Sequence, residues 1–447
     1  MTREEEVMID LLKRSLWEDN SQPVVEESDI DWQEVYKECR TQCIHGLVVD
    51  ALPKNMDLSV KKIWSDEAKK QLVFFSKYEY QQTKLIELFK ENDIPMVILK
   101  GSSAAVYYKN PSGRSMGDID FKVLSSDFEK AKKVLLDNGF TYAHEDEQNE
   151  RHTGFKKDGL IYELHKRFSY DDLDIEKYLE DALAIVEIAG GKQITAIDNA
   201  VGGEQTRSMR EYDCKNTQGH EGIVTKEVLG YRFPSLPRLA NGLVLLAHMR
   251  SHLKSGMGLR QLIDWNMFVY RELDDDFWKS EFMEAIGEIG LTKLALVATM
   301  VGRKYLGLPN KTFDGKSITW FENEADKIKT GTNNIGDGNS NLETTCDKLM
   351  ENILSSGNFG RKQGEGNKFE SVLVSIKKDG LFKRLYQSGI SNWKFARKHK
   401  WARPFAPIYQ VFRYMIQSIK TSRKSDVKKS LKRGQERYDL LKELEIE

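Results

Sequence analysis

Cysteine is scarce in this chain. Four residues in 447, Cys39, Cys43, Cys214 and Cys346, are too few and too scattered for a disulfide framework. Cys39 and Cys43 stand one helical turn apart in an amphipathic stretch, where packing explains them better than a metal. No apolar run approaches the roughly 20 residues of a bilayer-crossing helix. Net charge is also nearly absent: 68 Lys and Arg against 69 Asp and Glu leave a formal −1, which excludes a globally basic nucleic-acid coat. Met1 to Glu6 is acidic and lacks the basic, then apolar, pattern of a signal peptide. There is no internal repeat. The expectation is a cytoplasmic chain with reduced thiols, long enough for a catalytic core and a large accessory part.

What is present begins with helices. Leu11, Leu12 and Leu16 sit at helical spacing, and Val35, Cys39, Cys43 and Leu47 repeat it over Trp32 to Leu52. A longer helix is expected from Leu58 to Asn92, with apolar residues returning every three or four positions. Pro95 opens a different region. Met96 to Leu99 reads as a buried strand running into the turn Lys100-Gly101-Ser102, with Ser102 placed to cap a helix over Ser103 to Tyr108. Asp118 to Val123 alternates like a strand, and Ser126 to Asn138 reads as a helix closed by Gly139. His152 to Phe155 and Leu160 to His165 flank Lys157-Asp158-Gly159, a hairpin signal. Beyond a polar, Gly-rich insertion (Gly190 to Gly222), helices are expected over Leu239 to Lys254, Gly258 to Tyr270 and Phe277 to Leu306. A linker follows over Lys329 to Thr345. The chain thus divides into an N-terminal helical region (1–93), a compact core (94–188), a helical region with the insertion (189–310), and the linker with a basic helical end (311–447). The expected fold class is α+β, mostly helical overall, around a small mixed sheet.

The chemistry concentrates in the core. On a strand, Ile119, Phe121 and Val123 point one way and Asp118 and Asp120 the other. Two carboxylates on one face repel unless a cation lies between them. A pair of Mg²⁺ ions about 4 Å apart meets that need in phosphoryl chemistry; the bland alternative is a solvated strand face. Gly101 lets backbone approach a ligand, and N–H groups at a helix start suit phosphate, although capped turns of this kind are common. Glu163 and His165 share a face of the hairpin's second strand. A two-residue Asp158-Gly159 loop sets Gly154 opposite Glu163 and His152 opposite His165. For Glu163 the plain alternative is a surface residue, and for His165 a hydrogen-bonded structural histidine.

Leu99-Lys100-Gly101-Ser102, Arg114, Asp118-Ile119-Asp120-Phe121 and Tyr162-Glu163-Leu164-His165 together resemble the DNA polymerase β-like nucleotidyltransferase superfamily, in particular its poorly characterised bacterial branch. The resemblance covers Ile94 to Phe168. His248-Met249-Arg250-Ser251-His252, Gly258 to Asp264 and Gly357 to Gly360 also resemble that branch, whereas the insertion and the linker depart from it. The resemblance implies a polymerase β-like catalytic core at 94–188 that uses Mg²⁺ or Mn²⁺ and takes a nucleoside triphosphate. Asp118 and Asp120 would hold the metal ions, and Glu163 would complete the set or help activate an attacking hydroxyl. Gly101 and Ser102 would touch the β- and γ-phosphates, with Lys100 and Arg114 as further neutralising cations. Attack on the α-phosphate would release pyrophosphate. His165, His248, His252, Arg260 and Asp264 are candidate cleft residues, and Arg260 and Asp264, four apart, can pair with each other. The acceptor is open: a small molecule or glycan, a protein side chain, or an RNA end.

Two other classes compete. Asp-x-Asp also occurs in glycosyltransferases, but those place a nucleotide-binding βαβ region before it, where this chain reads as helical. A catalytically silent module of the same fold, used for binding or as a scaffold, is the other. Separately, Lys377 to Arg437 holds 18 Lys and Arg against 3 acids, interleaved with aromatics. This suits a helix packed on the core with a basic edge, a peripheral contact with an anionic membrane surface, or an RNA-binding edge.

Overall fold

A computed structural model of the protein describes residues 1–17, 30–53, 56–143, 152–168, 175–188, 222–329, 342–360, 362, 370, 374, 377, 380–420 and 424–446. The insertion expected over Gly190 to Gly222 lies outside them except for Gly222, as do Cys214 and residues 330–341 of the expected linker. The linker's last residues belong instead to a helix, Leu342–Ser356.

Helices α1 (Arg3–Leu16) and α2 (Trp32–Thr41) open the chain. The helical pattern expected to reach Leu52 ends at Thr41, because Cys43 turns left-handed at φ 58° and Ile44 N–H closes back on the Cys39 carbonyl. Helix α3 (Leu58–Glu91) runs for 34 residues, with Asp57 accepting from the N–H groups of Ser59 and Val60. Then come β1 (Met96–Leu99), α4 (Gly101–Ala105), β2 (Ile119–Val123), α5 (Phe128–Asp137), β3 (Thr141–Tyr142), β4 (His152–Lys157), β5 (Leu160–His165) and α6 (Glu176–Ile188). Sequence patterning does not anticipate the next hairpin, β6 (Val224–Val228) and β7 (Tyr231–Ser235). Its turn is Leu229-Gly230, both at positive φ, and Pro234 inside β7 argues against a strand. Helices α7 (Arg238–Ser255) and α8 (Leu259–Glu272) follow. The single helix expected over Phe277 to Leu306 is divided at Gly290, φ 66°, between Met283–Glu288 and Thr292–Val301.

The seven strands form one mixed sheet in the order β3-β4-β5-β2-β1-β7-β6. β2 runs antiparallel to β1 and parallel to β5, while β7 joins the other side of β1 in parallel. Both faces are covered, so every residue of β2 is buried. One face packs Phe121, Phe155 and Tyr162 under Phe75 and Phe89 of α3 and Leu135 of α5. The other contributes Val97 and Leu99 to a larger core built on α7 and α8. Asp120 and Lys122 stand directly opposite Leu99 and Val97 and therefore lie on that second face. The architecture is the expected α+β class, with helical regions before and after the sheet.

Candidate active site

The site starts from a tight turn. Lys100 and Gly101 both have positive φ, 51° and 34°, and this redirects the chain from β1 into α4. A Cβ on Gly101 would collide with the Tyr78 hydroxyl, which donates to the Asp118 carbonyl at 3.2 Å. One tyrosine of α3 thus clasps both the glycine turn and the start of the Asp-x-Asp strand. Ser102 does not act as the expected cap. It sits inside α4, fully buried, with its Oγ 2.6 Å from Glu79 Oε1 and 3.0 Å from Gln82 Oε1.

The parallel pairing of β2 with β5 puts Asp120 opposite Glu163. The hairpin has the register expected from a two-residue turn, Gly154 opposite Glu163 and His152 opposite His165. Asp118 lies just before β2 rather than within it. Asp120 is buried, and its Oδ1 meets two donors, Lys100 Nζ at 2.7 Å and His165 Nε2 at 2.9 Å. Burial works against its charge, but Lys100 and His165 prevail and hold the carboxyl well below the ordinary carboxylate range. Burial, then the Asp120 and Asp118 charges, push Glu163 up to about 9. The Asp120 charge, followed by burial, raises Asp118 as well, and its side chain bonds to that of Glu163. Two carboxyls share such a bond only with a proton between them. Burial opposes the Lys100 ammonium, yet Asp120, Asp118 and Glu163 together hold its pKa above the ordinary value.

This is a site with more negative charge than its own lysine neutralises. Ligand atoms of Asp120, Glu163 and His165 lie within 4.8 Å of one another. Carboxylate oxygens are the donors that hard divalent cations take, so this Asp–Glu–His cluster could hold such an ion.

The remaining expected residues divide into two groups. His248 and His252, one turn apart on α7, meet Nε2 to Nε2 at 2.8 Å. Burial, then the cations Arg260 and Lys100, bring His252 down to about 3, and burial with the neighbouring imidazole holds His248 well below its ordinary value. Both are neutral near pH 7, within electrostatic reach of Lys100. Arg260 donates through Nη1 to the Ser115 carbonyl at 3.0 Å, while its Nε is buried with no partner among the described residues. It does not pair with Asp264. Asp264 instead takes Arg114 in a two-pronged bridge, Nε to Oδ1 and Nη2 to Oδ2, both at 2.7 Å. Tyr108 Oη adds a third donor at 2.6 Å. Arg114 is therefore committed to α8, whereas Lys100, Asp118, Glu163, His248, His252 and Arg260 are all partly exposed.

Sequence reasoning missed Tyr78, Glu79 and Gln82. The signal was available: with Phe75, Leu85 and Phe89 they form the stripe of α3 that packs on the sheet.

Residues 28–199 match the model of a family described as uncharacterised nucleotidyltransferase. The match covers less than half of the chain, but it includes β1 through β5 and Asp118, Asp120 and Glu163. No curated protein and no solved structure matches the chain. Over residues 28–199 the chain is similar to that nucleotidyltransferase family, and its buried Asp–Glu–His cluster fits a nucleotidyltransferase role.

Proposed function

We propose that the protein transfers a nucleoside monophosphate from a nucleoside triphosphate to a hydroxyl-bearing acceptor, releasing pyrophosphate, in a reaction that depends on Mg²⁺ or Mn²⁺. The parallel register that sets Asp120 against Glu163, with Asp118 beside them, carries this reading. Asp118, Asp120 and Glu163 would hold the cation, whose chemistry is to neutralise and align the triphosphate. His165 fixes the rotamer of Asp120 through its Nε2–H. Lys100 and Arg260, both partly exposed, are the cations that would meet phosphate oxygens, along with backbone N–H groups at Gly101. The Ser102 hydroxyl, engaged with Glu79 and Gln82, shapes the turn. The neutral His248 and His252 line the acceptor side and can accept or pass the hydroxyl proton. Catalysis of this kind rests on positioning and charge neutralisation.

The test supplies each α-labelled ribonucleoside triphosphate with Mg²⁺ or Mn²⁺ and a cell extract as the source of acceptor. Label should pass to one component with the wild type, and Asp120→Asn should lower transfer by about 10³-fold or more while the melting profile stays cooperative. Lys100, in contact with Asp120, favours one competing reading: a silent module that compensates its carboxylates internally. Absence of both label transfer and triphosphate binding by the folded wild type would establish that alternative.

A further inference from the structure

Residues 381–420 contain nine Lys and Arg and not one Asp or Glu, in a chain whose total formal charge is −1. Basic charge is therefore segregated here. The segment folds as two longer helices, Leu381–Asn392 and Ala406–Lys420, joined by Lys394–Lys398 and a 3₁₀ stretch, Lys400–Phe405. It has an interior of its own. Trp393 stacks on Tyr409 with ring centroids 5.1 Å apart, Gly389 admits the Ala406 backbone so closely that a Cβ would clash, and Ala396, Ala402 and Ala406 are buried.

Several other large apolar side chains are exposed instead. Trp401 is 68% exposed, Phe405 53%, Ile408 56% and Phe412 61%. Phe405, Ile408 and Phe412 follow the i, i+3, i+7 spacing of a single helix face. Phe395, also exposed, meets Trp401 edge to face at 5.6 Å. Lys398 and Lys400 flank this row and are exposed as well. A folded unit that hides alanines and displays Trp, Phe and Ile beside lysines is inverted relative to an ordinary soluble surface.

We propose that residues 381–420 form a docking surface for an anionic lipid bilayer. The lysines meet the negative headgroups, and the aromatic row enters the boundary between headgroups and acyl chains. An exposed aliphatic Ile408 in the row fits acyl chains better than nucleobases, which are held by aromatic stacking in a basic groove. No described helix is long and apolar enough to cross a membrane, so the contact is peripheral. It stands independently of the chemistry at Asp120.

The test is flotation of the full-length protein with vesicles of phosphatidylcholine alone and of phosphatidylcholine with phosphatidylserine. Binding should require phosphatidylserine and weaken as salt rises. Trp401→Ala combined with Phe412→Ala should reduce it about tenfold or more with unchanged melting, since both side chains lie at the surface. Lys398→Glu with Lys400→Glu should reduce it through charge alone. Three results overturn the proposal: no flotation with phosphatidylserine vesicles, flotation indifferent to the aromatic pair, or salt-sensitive binding of single-stranded RNA that these aromatics control while vesicles are ignored.

Discussion

Glu79 lies in the middle of α3 with no exposed surface, and its nearest polar partners are neutral. Ser102 Oγ stands within hydrogen-bonding distance of both Glu79 Oε1 and Gln82 Oε1, and one hydroxyl proton cannot serve two acceptors. A proton on Glu79 resolves this. Its acid O–H donates to Ser102 Oγ, the serine donates to Gln82 Oε1, and Gln82 Nε2 donates back to Glu79 Oε2 at 3.1 Å. Burial raises the Glu79 pKa to about 7, opposed only by the hydrogen bond that Ser102 donates when the carboxyl is ionised. Because the folded pKa exceeds the unfolded one, the stabilising effect is complete below about pH 4.5. It is lost as pH rises to about 7 and stays lost beyond that. Glu79→Gln keeps a donor for Ser102 and an acceptor for Gln82 but cannot ionise. Measured by urea unfolding across this range, the variant should match the wild type near pH 4.5 and exceed it by roughly 3 kcal/mol above pH 7, at about 1.4 kcal/mol per unit. A pH-independent difference would mean that Glu79 is ionised in the fold.

At the scale of elements, β2 joins the sheet to α6 through Lys122. This lysine is fully buried, with Nζ 2.7 Å from Glu180, 3.3 Å from Glu176 and 2.8 Å from the Lys166 carbonyl. Removing both acids by Glu176→Ala and Glu180→Ala strands a buried ammonium and should cost about 3 kcal/mol or more. Lys122→Met, which buries no charge, should cost clearly less in the same unfolding assay. Equal losses would mean that packing, and not charge, joins α6 to the sheet. Much of this region was legible in the sequence. The 34-residue α3 shows helical periodicity throughout, and the Asp158-Gly159 turn, both residues at positive φ, specifies the register that brings Gly154 to Glu163 and His152 to His165. What patterning could not show is pairing across distance. Arg260 and Asp264 look like an intrahelical pair, yet Asp264 is taken by Arg114, 150 positions away. Lys122 reads as the polar half of an alternating strand because its covering acids come from a later helix. Glu79, in a helix rich in charged residues, looks like a solvated position.

At the scale of the whole molecule, the large core is not confined to the middle of the chain. Val7, Leu11 and Leu12 of α1 share it with α7, α8 and the closing residues Leu440, Leu441, Leu444 and Ile446. Trp17 Nε1 donates to the Leu306 carbonyl at 2.6 Å, and Lys293 pairs with Glu445 at 3.1 Å. The loop before β2 is tied to this body by the Arg114–Asp264 bridge, which is buried on both sides. Arg114 stands four positions before Asp118, and Asp264 shares α8 with Arg260, so the bridge links the approach to the Asp-x-Asp strand to the helical body. Asp264→Ala leaves Arg114 buried without its partner and should cost about 3–5 kcal/mol. Arg114→Met with Asp264→Leu removes both charges and should recover much of that stability. Recovery should not extend to the site: if the bridge positions Asp118, the double variant should melt near the wild type while binding triphosphate more weakly. A double variant that regains both stability and triphosphate affinity would reduce the bridge to packing and leave the site anchored by α3 alone, through Tyr78 and the Gly101 turn.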